Sequence, residues 1–294
     1  MEHMTAKVSC FARAYHFKNN RIRIFEDSAA ESLLGNDYEQ IAQNMMDGIP
    51  FFLPGFAGTR EEGLRLIADK QLSPSVLGRS AFCEKMLEKE KSLGCEQYVI
   101  FASGYDTYSL RNTDKALSVF ELDLPEMLAD KSERIKRIGA KTGSVFVPCN
   151  LANMTWKEKL LQAGYLPTRK SFGSLLGISY YLSKEEFRSL LHAISELMVD
   201  GSVLCFDYPC EEESKETKTN QMLAMGAGEQ MKAKYSDLEL KELLLNCGFE
   251  ITVHLNDDQM TRQFFSDYNH CNGEYAMKAP VGVGYVLAGR KADR

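Results

Sequence analysis

The order of patterns along the chain predicts an α/β protein, a mostly parallel sheet with helices on both faces. Three observations carry this. Apolar runs of strand length recur at 97–103, 117–123, 144–149, 173–180, 202–208, 250–255 and 282–288. Stretches with helical periodicity fill the gaps between them, the alternation that a parallel sheet needs. The first two strands are joined through a turn of mostly small residues, Ala102-Ser103-Gly104-Tyr105-Asp106-Thr107, and a carboxylate, Asp123, closes the second strand. A tight turn after one strand and a carboxylate about twenty residues on is how a nucleoside is held: backbone comes close to the ligand, and the carboxylate accepts from ribose hydroxyls.

Ahead of the sheet, residues 5–17, 58–69 and 75–92 read as helices. Residues 1–92 are therefore expected to form a helical lid or substrate region packed on a core of residues 93–294. Within that core, Tyr98-Val99-Ile100-Phe101 is a buried strand and Leu117 to Asp123 is its neighbour. Helical patterns follow at 105–113, 125–141, 155–163, 183–199 and 236–246. Ser183 with Glu186 is a capping box that sets the start of the 183–199 helix. Gly201 and Gly248 stand just past helix ends, where glycine closes a helix. The stretch 211–234 is charged, then rich in Met and Gly, and is expected to cross the active site as a lid insertion.

A chain of 294 residues can bury a sizeable core. Its net charge of −6 argues against a nucleic-acid surface, which needs a basic face. No apolar run reaches the ~18–20 residues of a membrane span. Met1-Glu2-His3-Met4 lacks a signal-peptide h-region, so a cytoplasmic location is expected. The eight cysteines have no C-x-x-C or zinc-ligand spacing and read as buried, reduced thiols.

The turn is not a dinucleotide fingerprint, which requires G-x-G-x-x-G. Only Gly104 is present, and Asp106 is a poor neighbour for a pyrophosphate. It suits a cationic cofactor without phosphate. S-adenosylmethionine meets that description, and a nicotinamide cofactor does not.

The run F-A-S-G-Y-D-T-Y-S-L-R followed by F-E-L-D-L-P-E-M-L-A-D-K resembles the leucine carboxyl methyltransferase family of S-adenosylmethionine-dependent O-methyltransferases. The match rests on Asp106, Thr107, Arg111, Glu121, Asp123, Pro125 and Lys131. The segment from Phe25 to Gly35 resembles a second family motif, with Ser28 where the family has proline. The resemblance implies a Rossmann-like class I methyltransferase sheet of seven strands with the last strand inserted antiparallel between two others. It implies S-adenosyl-L-methionine as cofactor and a carboxylate or hydroxyl of a small molecule as methyl acceptor.

The resemblance also implies roles. Arg79 would grip the carboxylate of the cofactor's methionine end, a task suited to a forked guanidinium. Ala102, Ser103 and Gly104 would form the turn beside the cofactor. Asp123, with Leu124 beside it, would bind ribose; Glu121 shares its strand face and is the other candidate. Asn150 and Leu151 would flank adenine. No side chain stands out as a general base, and none is needed for an acceptor that is already an anion.

Three positions depart from the family pattern: Ala102 replaces a glycine, Asn150 an aspartate and Leu176 a glutamate. They leave an alternative open, a methyltransferase-fold binding or regulatory protein with weakened or lost catalysis. His16, His192, His254 and His270 stand alone and read as packing or surface residues. Trp156 reads as a helix-side anchor. Met222, Met225 and Met231 suit either an apolar pocket or a surface loop. Asp207-Tyr208-Pro209 ends the fifth strand on the side expected to face the substrate.

Overall fold

The computed structural model describes residues 3–211 and 231–291. One sheet holds β1 (Gln97–Phe101), β2 (Ser118–Asp123), β3 (Val145–Pro148), β4 (Ser171–Leu175), β5 (Val203–Pro209), β6 (Phe249–Leu255) and β7 (Val283–Arg290). Their spatial order is β3-β2-β1-β4-β5-β7-β6. Strands β1 to β5 pair in parallel, and β7 runs antiparallel between β5 and β6. This is the strand order that the family resemblance implies. Every residue of β1, β4 and β5 is buried, as strands covered on both faces must be.

The sheet carries one apolar cluster on each face. Val99, Phe101, Trp156, Phe187 and Phe206 lie in one; Tyr98, Ile100, Phe82, Phe172 and Cys205 lie in the other. Trp156 is fully buried and stacks edge-on against Phe101, a core anchor on its helix. A third cluster joins the N-terminal helices α1 (Met4–Asn19), α2 (Ala30–Leu34), α3 (Asn36–Asp47), α4 (Ile49–Phe52) and α5 (Arg60–Ile67) to Tyr105, Met127 and Ile135. This packing holds α1 over the C-terminal ends of β1 and β2. A π-helical turn, Ala68–Leu72, leads from α5 into α6 (Ser73–Ser92).

The remaining helices named below are α7 (Tyr108–Arg111), α8 (Pro125–Arg137), α9 (Thr155–Gln162) and α10 (Lys184–Leu197). Helix α8 opens on Pro125, whose missing N–H costs nothing in the first turn. It buries Met127, Leu128, Lys131, Arg134 and Ile135, one stripe at helical spacing. The Ser183/Glu186 capping box forms as the sequence predicts.

Two expected elements are displaced. The fourth strand, expected at 173–180, ends at Leu175. Gly177 takes a left-handed φ of 69°, and Ser179–Tyr181 form a 3-10 turn. The helix expected at 105–113 contracts to α7, because the Asp106 amide donates back to the Ser103 carbonyl and the Asp106 carboxylate accepts from the Tyr108 amide at 2.8 Å. Most of the expected 211–234 lid, with Met222 and Met225, lies outside the described residues. Six of the eight cysteines are buried; Cys210 is half-buried and Cys271 exposed, against expectation. Among the described residues no helix is long and apolar enough to cross a membrane.

The chain runs outward from β1 to β2 and β3, then returns to place β4 on the other side of β1. Such a reversal opens a crevice beyond the carboxyl ends of the two strands, where open α/β sheets bind ligands. The loops after β1, β2 and β4 meet there.

Candidate active site

A cavity of about 400 Å³ fills this crevice. The β1 turn, Ala102 to Asp106, forms one wall; Asp123 and Leu124 form the next; Ser174 and Leu176 to Ile178 close the far side. Helix α1 supplies Thr5, Ala6, Ser9 and Arg13 as a roof, and α6 supplies Arg79 and Ser80. Of the residues read from the sequence, Arg79, Ala102, Ser103, Gly104, Asp123, Leu124 and Leu176 line it together. Asn150 and Leu151 do not. Asn150 is exposed and its side-chain oxygen accepts from the Ala152 amide at 2.8 Å, while Leu151 packs against the core. The loop holding both follows β3, where the Cys149 amide donates to the Asp123 carbonyl at 2.8 Å.

Asp123 sits at the end of β2, and its two carboxylate oxygens accept from the Gly104 and Leu124 amides, each at 2.7 Å. These bonds fix the turn against the strand and orient the carboxylate along the cavity wall. Burial raises its pKa above the ordinary carboxylate value, with the two amides opposing that shift. Asp123 does not cap α8: no side chain caps that helix. Glu121, the other candidate, is fully buried and turned away. It accepts from Ser109 Oγ at 2.6 Å and Ser144 Oγ at 2.8 Å and pairs with the buried Lys131 ammonium. Replacing Asp123 by Ala is expected to weaken S-adenosylmethionine binding by about 1.5–3 kcal/mol, the range for a hydrogen bond to a charged group. Titration calorimetry on the folded variant measures this, and an unchanged dissociation constant would remove the ribose role.

The β1 turn has an unusual backbone. Ala102 has φ 52°, and Gly104 has φ 49°. Glycine adopts this conformation freely; alanine pays about 1–2 kcal/mol for it, since its Cβ crowds the following carbonyl. Where the family pattern has glycine, this chain thus holds a strained alanine. Allowing for the greater freedom of unfolded glycine, Ala102→Gly is expected to stabilise the fold by about 0.5–1 kcal/mol. A urea midpoint that falls would contradict this. Beside it, Ser103 Oγ is buried against the cavity wall and has no hydrogen-bond partner among the described residues. A buried hydroxyl without a partner is costly, and a polar ligand in the cavity would satisfy it.

Arg79 reaches the cavity from α6 and is only loosely held. Its closest polar contacts among the described residues are Ser9 Oγ at 3.5 Å and the Asp207 carboxylate at 3.6 Å. Asp207, at the end of β5, is fully buried. It accepts from the Gly177 amide at 2.7 Å and the Tyr180 hydroxyl at 3.0 Å. It therefore fixes the turn after β4 rather than reaching the cavity. The left-handed φ of 69° favours glycine at Gly177, and a Cβ there would also displace the Arg79 guanidinium, which it would approach to 2.5 Å.

The remaining motif residues build a charge network behind the site. Arg13 donates to Asp27 at 2.8 Å and to the Tyr105 carbonyl at 2.6 Å. Arg111 lies 3.4 Å from Asp27, donates to Thr107 Oγ1 at 3.1 Å and forks onto both oxygens of Glu84. Asp27 in turn accepts from the amides that open α2. Arg13 and Arg111 hold the Asp27 carboxyl below its ordinary pKa against the opposing effect of burial. This network locks the helical region onto the β1 turn. The roof residues Ser9 and Arg13 lie in the stretch 5–17 that reads from the sequence as a helix; nothing in their local pattern marks a cavity formed some ninety residues away in sequence.

A second cavity, about 360 Å³, adjoins the first. The two share Thr5, Ser9, Arg79, Gly177 and Tyr181. Apart from Arg79 and a few hydroxyls and amides, its described lining is apolar. The residues Val8, Met45, Phe52, Leu72, Val76 and Val283 represent it. Met231, which lies within the expected 211–234 lid, also lines it.

The residues of the first cavity fit a nucleoside cofactor without phosphate: a carboxylate at a strand end, a left-handed small-residue turn, an unsatisfied buried hydroxyl and a loosely held arginine. Comparison with known proteins agrees. A model of the leucine carboxyl methyltransferase family matches residues 6–195. YktD of Bacillus subtilis, provisionally named an S-adenosyl-L-methionine-dependent methyltransferase, is 35% identical over 279 residues, covering 90% of this chain and 91% of YktD. A Mycobacteroides abscessus protein with the same provisional name is 29% identical over 177 residues, 59% of this chain and 56% of its own. Among solved structures, a DUF574 family protein from Streptomyces avermitilis superposes with a TM-score of 0.59 at 11% identity, covering 98% of this chain and 97% of its own. A protein from Thermobifida fusca, provisionally described as a methyltransferase, gives 0.57 at 12% identity, covering 98% and 94%. At such identities these superpositions speak to the fold alone.

Proposed function

The chain belongs to the leucine carboxyl methyltransferase family of S-adenosylmethionine-dependent enzymes, and we propose that it methylates an oxygen, carboxylate or hydroxyl, of a small molecule. The observation that carries this reading is the pair of adjoining cavities with Ser9, Arg79 and Gly177 in their shared wall. One cavity has the donor set for S-adenosylmethionine; the other is sized for a small acceptor.

In this reading Asp123 accepts from the ribose hydroxyls, Ser103 supplies a hydroxyl to the ligand, and Arg79 holds the methionine carboxylate. When bound, S-adenosylmethionine supplies an electrophilic methyl on a positively charged sulfur. The acceptor oxygen forms its bond to that carbon as the carbon–sulfur bond breaks, and sulfur keeps the electron pair. The protein contributes by alignment and by excluding water. The α1 roof serves both ends, since it covers the crevice and its residues line both cavities.

Isothermal titration with S-adenosylmethionine and S-adenosylhomocysteine tests the reading. Saturable binding of both is expected. No heat from either at millimolar ligand would sink it. The left-handed Ala102 favours a second reading, a binding or regulatory protein with a weakened cofactor site. Under that reading the triple reversion Ala102→Gly, Asn150→Asp and Leu176→Glu raises cofactor affinity. The position of Asn150 outside the cavity assigns most of any gain to the other two changes.

A further inference from the structure

We infer that Asp207 is a positioning residue: from behind the cavity wall it sets the Arg79 guanidinium, and through it the affinity for the ligand's carboxylate. The identity of that ligand rests on the methyl-transfer reading. The placement rests on the contacts of one buried side chain.

Asp207 stands near the end of β5, fully buried and behind the lining of both cavities. Its two carboxylate oxygens divide their tasks. Oδ1 accepts from the Gly177 amide at 2.7 Å. Oδ2 accepts from the Tyr180 hydroxyl at 3.0 Å and lies 3.6 Å from Arg79 Nη1. The main chain adds a third tie, since the Asp207 carbonyl accepts from Ser179 Oγ at 2.6 Å. One residue thus fixes the turn after β4 and attracts the cation that α6 carries.

Gly177 links the two effects. The guanidinium lies across its bare Cα: a Cβ built there would stand 2.5 Å from Nη1, 2.7 Å from Cζ and 2.9 Å from Nη2. Oδ1 therefore sets the floor under Arg79, and Oδ2 sets the pull on its Nη1 edge. At the other edge Nη2 meets Ser9 Oγ at 3.5 Å. None of these contacts is a short hydrogen bond, so the N–H groups stay open to a carboxylate in the cavity.

The charges favour the same arrangement. A carboxylate buried this deeply is costly with neutral donors alone, and the Arg79 charge offsets part of that cost. The ligand then meets a cation already oriented instead of one that must be ordered on binding. A forked guanidinium gains most from this, because its hydrogen bonds are directional. Asp207 and the ligand carboxylate also repel each other, but across the guanidinium and at longer range than either meets Arg79. Orientation is expected to outweigh that repulsion.

Asp207→Asn tests this in the parent chain and in Arg79→Ala. Asparagine keeps an acceptor for the Gly177 amide and removes the charge. S-adenosylhomocysteine and its decarboxylated analogue are titrated calorimetrically. In the parent, Asp207→Asn is expected to weaken S-adenosylhomocysteine by about tenfold, the lower end of the loss when a metal ligand's orienting partner is removed. The decarboxylated analogue is expected to change by less than about twofold, as are both ligands in the Arg79→Ala background. Retained affinity for the analogue shows that the variant folds. Without ligand, Asp207→Asn is expected to lower the urea midpoint of the parent. In Arg79→Ala it is expected to lower the midpoint less, or to raise it, since there it neutralises a stranded charge. Equal loss for both ligands, the same loss in both backgrounds, or unchanged or tighter binding of S-adenosylhomocysteine in the parent would each overturn the inference. Equal midpoint changes in both backgrounds would do so as well. If neither Asp207→Asn nor Asp207→Ser folds, whatever stands at position 79, Asp207 serves the fold alone and the inference falls. If the midpoints are coupled and the parent binds neither ligand, the placement of Arg79 by Asp207 stands and the methyl-transfer reading falls.

Discussion

Replacing Lys131 by Met is expected to destabilise the fold by about 3–5 kcal/mol, the cost of leaving one member of a buried ion pair without its partner. The Lys131 ammonium and the Glu121 carboxylate are both fully shielded from water. The ammonium also lies over the Phe146 ring, 5.9 Å from its centre. Methionine fills a similar volume, so the loss comes from the stranded carboxylate, not from a void. Ser109 and Ser144 still donate to Glu121 but cannot neutralise it. For a domain whose whole stability is about 5–15 kcal/mol, this is a large fraction. Adding Glu121→Gln removes the stranded charge while keeping an acceptor for both hydroxyls. The double variant is expected to regain about 1–3 kcal/mol over Lys131→Met alone. Urea midpoints at unchanged slope measure both. If Lys131→Met is as stable as the parent, the pair does not hold β2 to α8.

That pair shows why spacing alone left two carboxylates open as ribose ligands. Glu121 and Asp123 share a strand face in an ideal strand, and the motif contains both. What separates them is Lys131 on α8, which draws Glu121 into the interior, and the end of β2, which leaves Asp123 at the cavity. The strands were legible because most are apolar runs bounded by turn residues, and the capping box at Ser183 was legible because its chemistry is local. The fourth strand was misplaced because Leu175 to Leu182 is apolar enough to read as extended chain, and only the left-handed Gly177 breaks it. The resemblance placed Asn150 and Leu151 beside adenine, whereas the loop after β3 holds them off the cavity wall. Of the second cavity, Met231 alone reads from the sequence as suiting an apolar pocket, with a surface loop as the other reading. The cavity's wall is assembled from α1, α3, the π-helical turn, α6 and β7, and apolar residues so far apart carry no joint signal in sequence.

Arg79→Ala is expected to weaken S-adenosylmethionine binding by about 2–5 kcal/mol, the usual cost of removing one side of a desolvated charge pair, or roughly thirtyfold to several thousandfold in dissociation constant. Asp207 keeps its bonds to Gly177 and Tyr180 when the guanidinium is gone but loses its ion partner at 3.6 Å, so some stability is lost as well and the titrations are made on the folded variant. Arg79→Lys should recover part of the loss, since a point charge remains but the planar fork does not. A structural role for Arg79 would also lower affinity, so the magnitude alone does not decide. The decisive comparison repeats both titrations with a cofactor analogue lacking the methionine carboxylate. If Arg79 grips that group, the parent and Arg79→Ala bind the analogue about equally, because the interaction is already missing from the ligand. This is a double-mutant cycle with one change made in the small molecule. If Arg79→Ala loses the same affinity for both ligands, the guanidinium does not meet the carboxylate. Its contribution then lies in the wall it forms with Gly177, between the cofactor cavity and the apolar one.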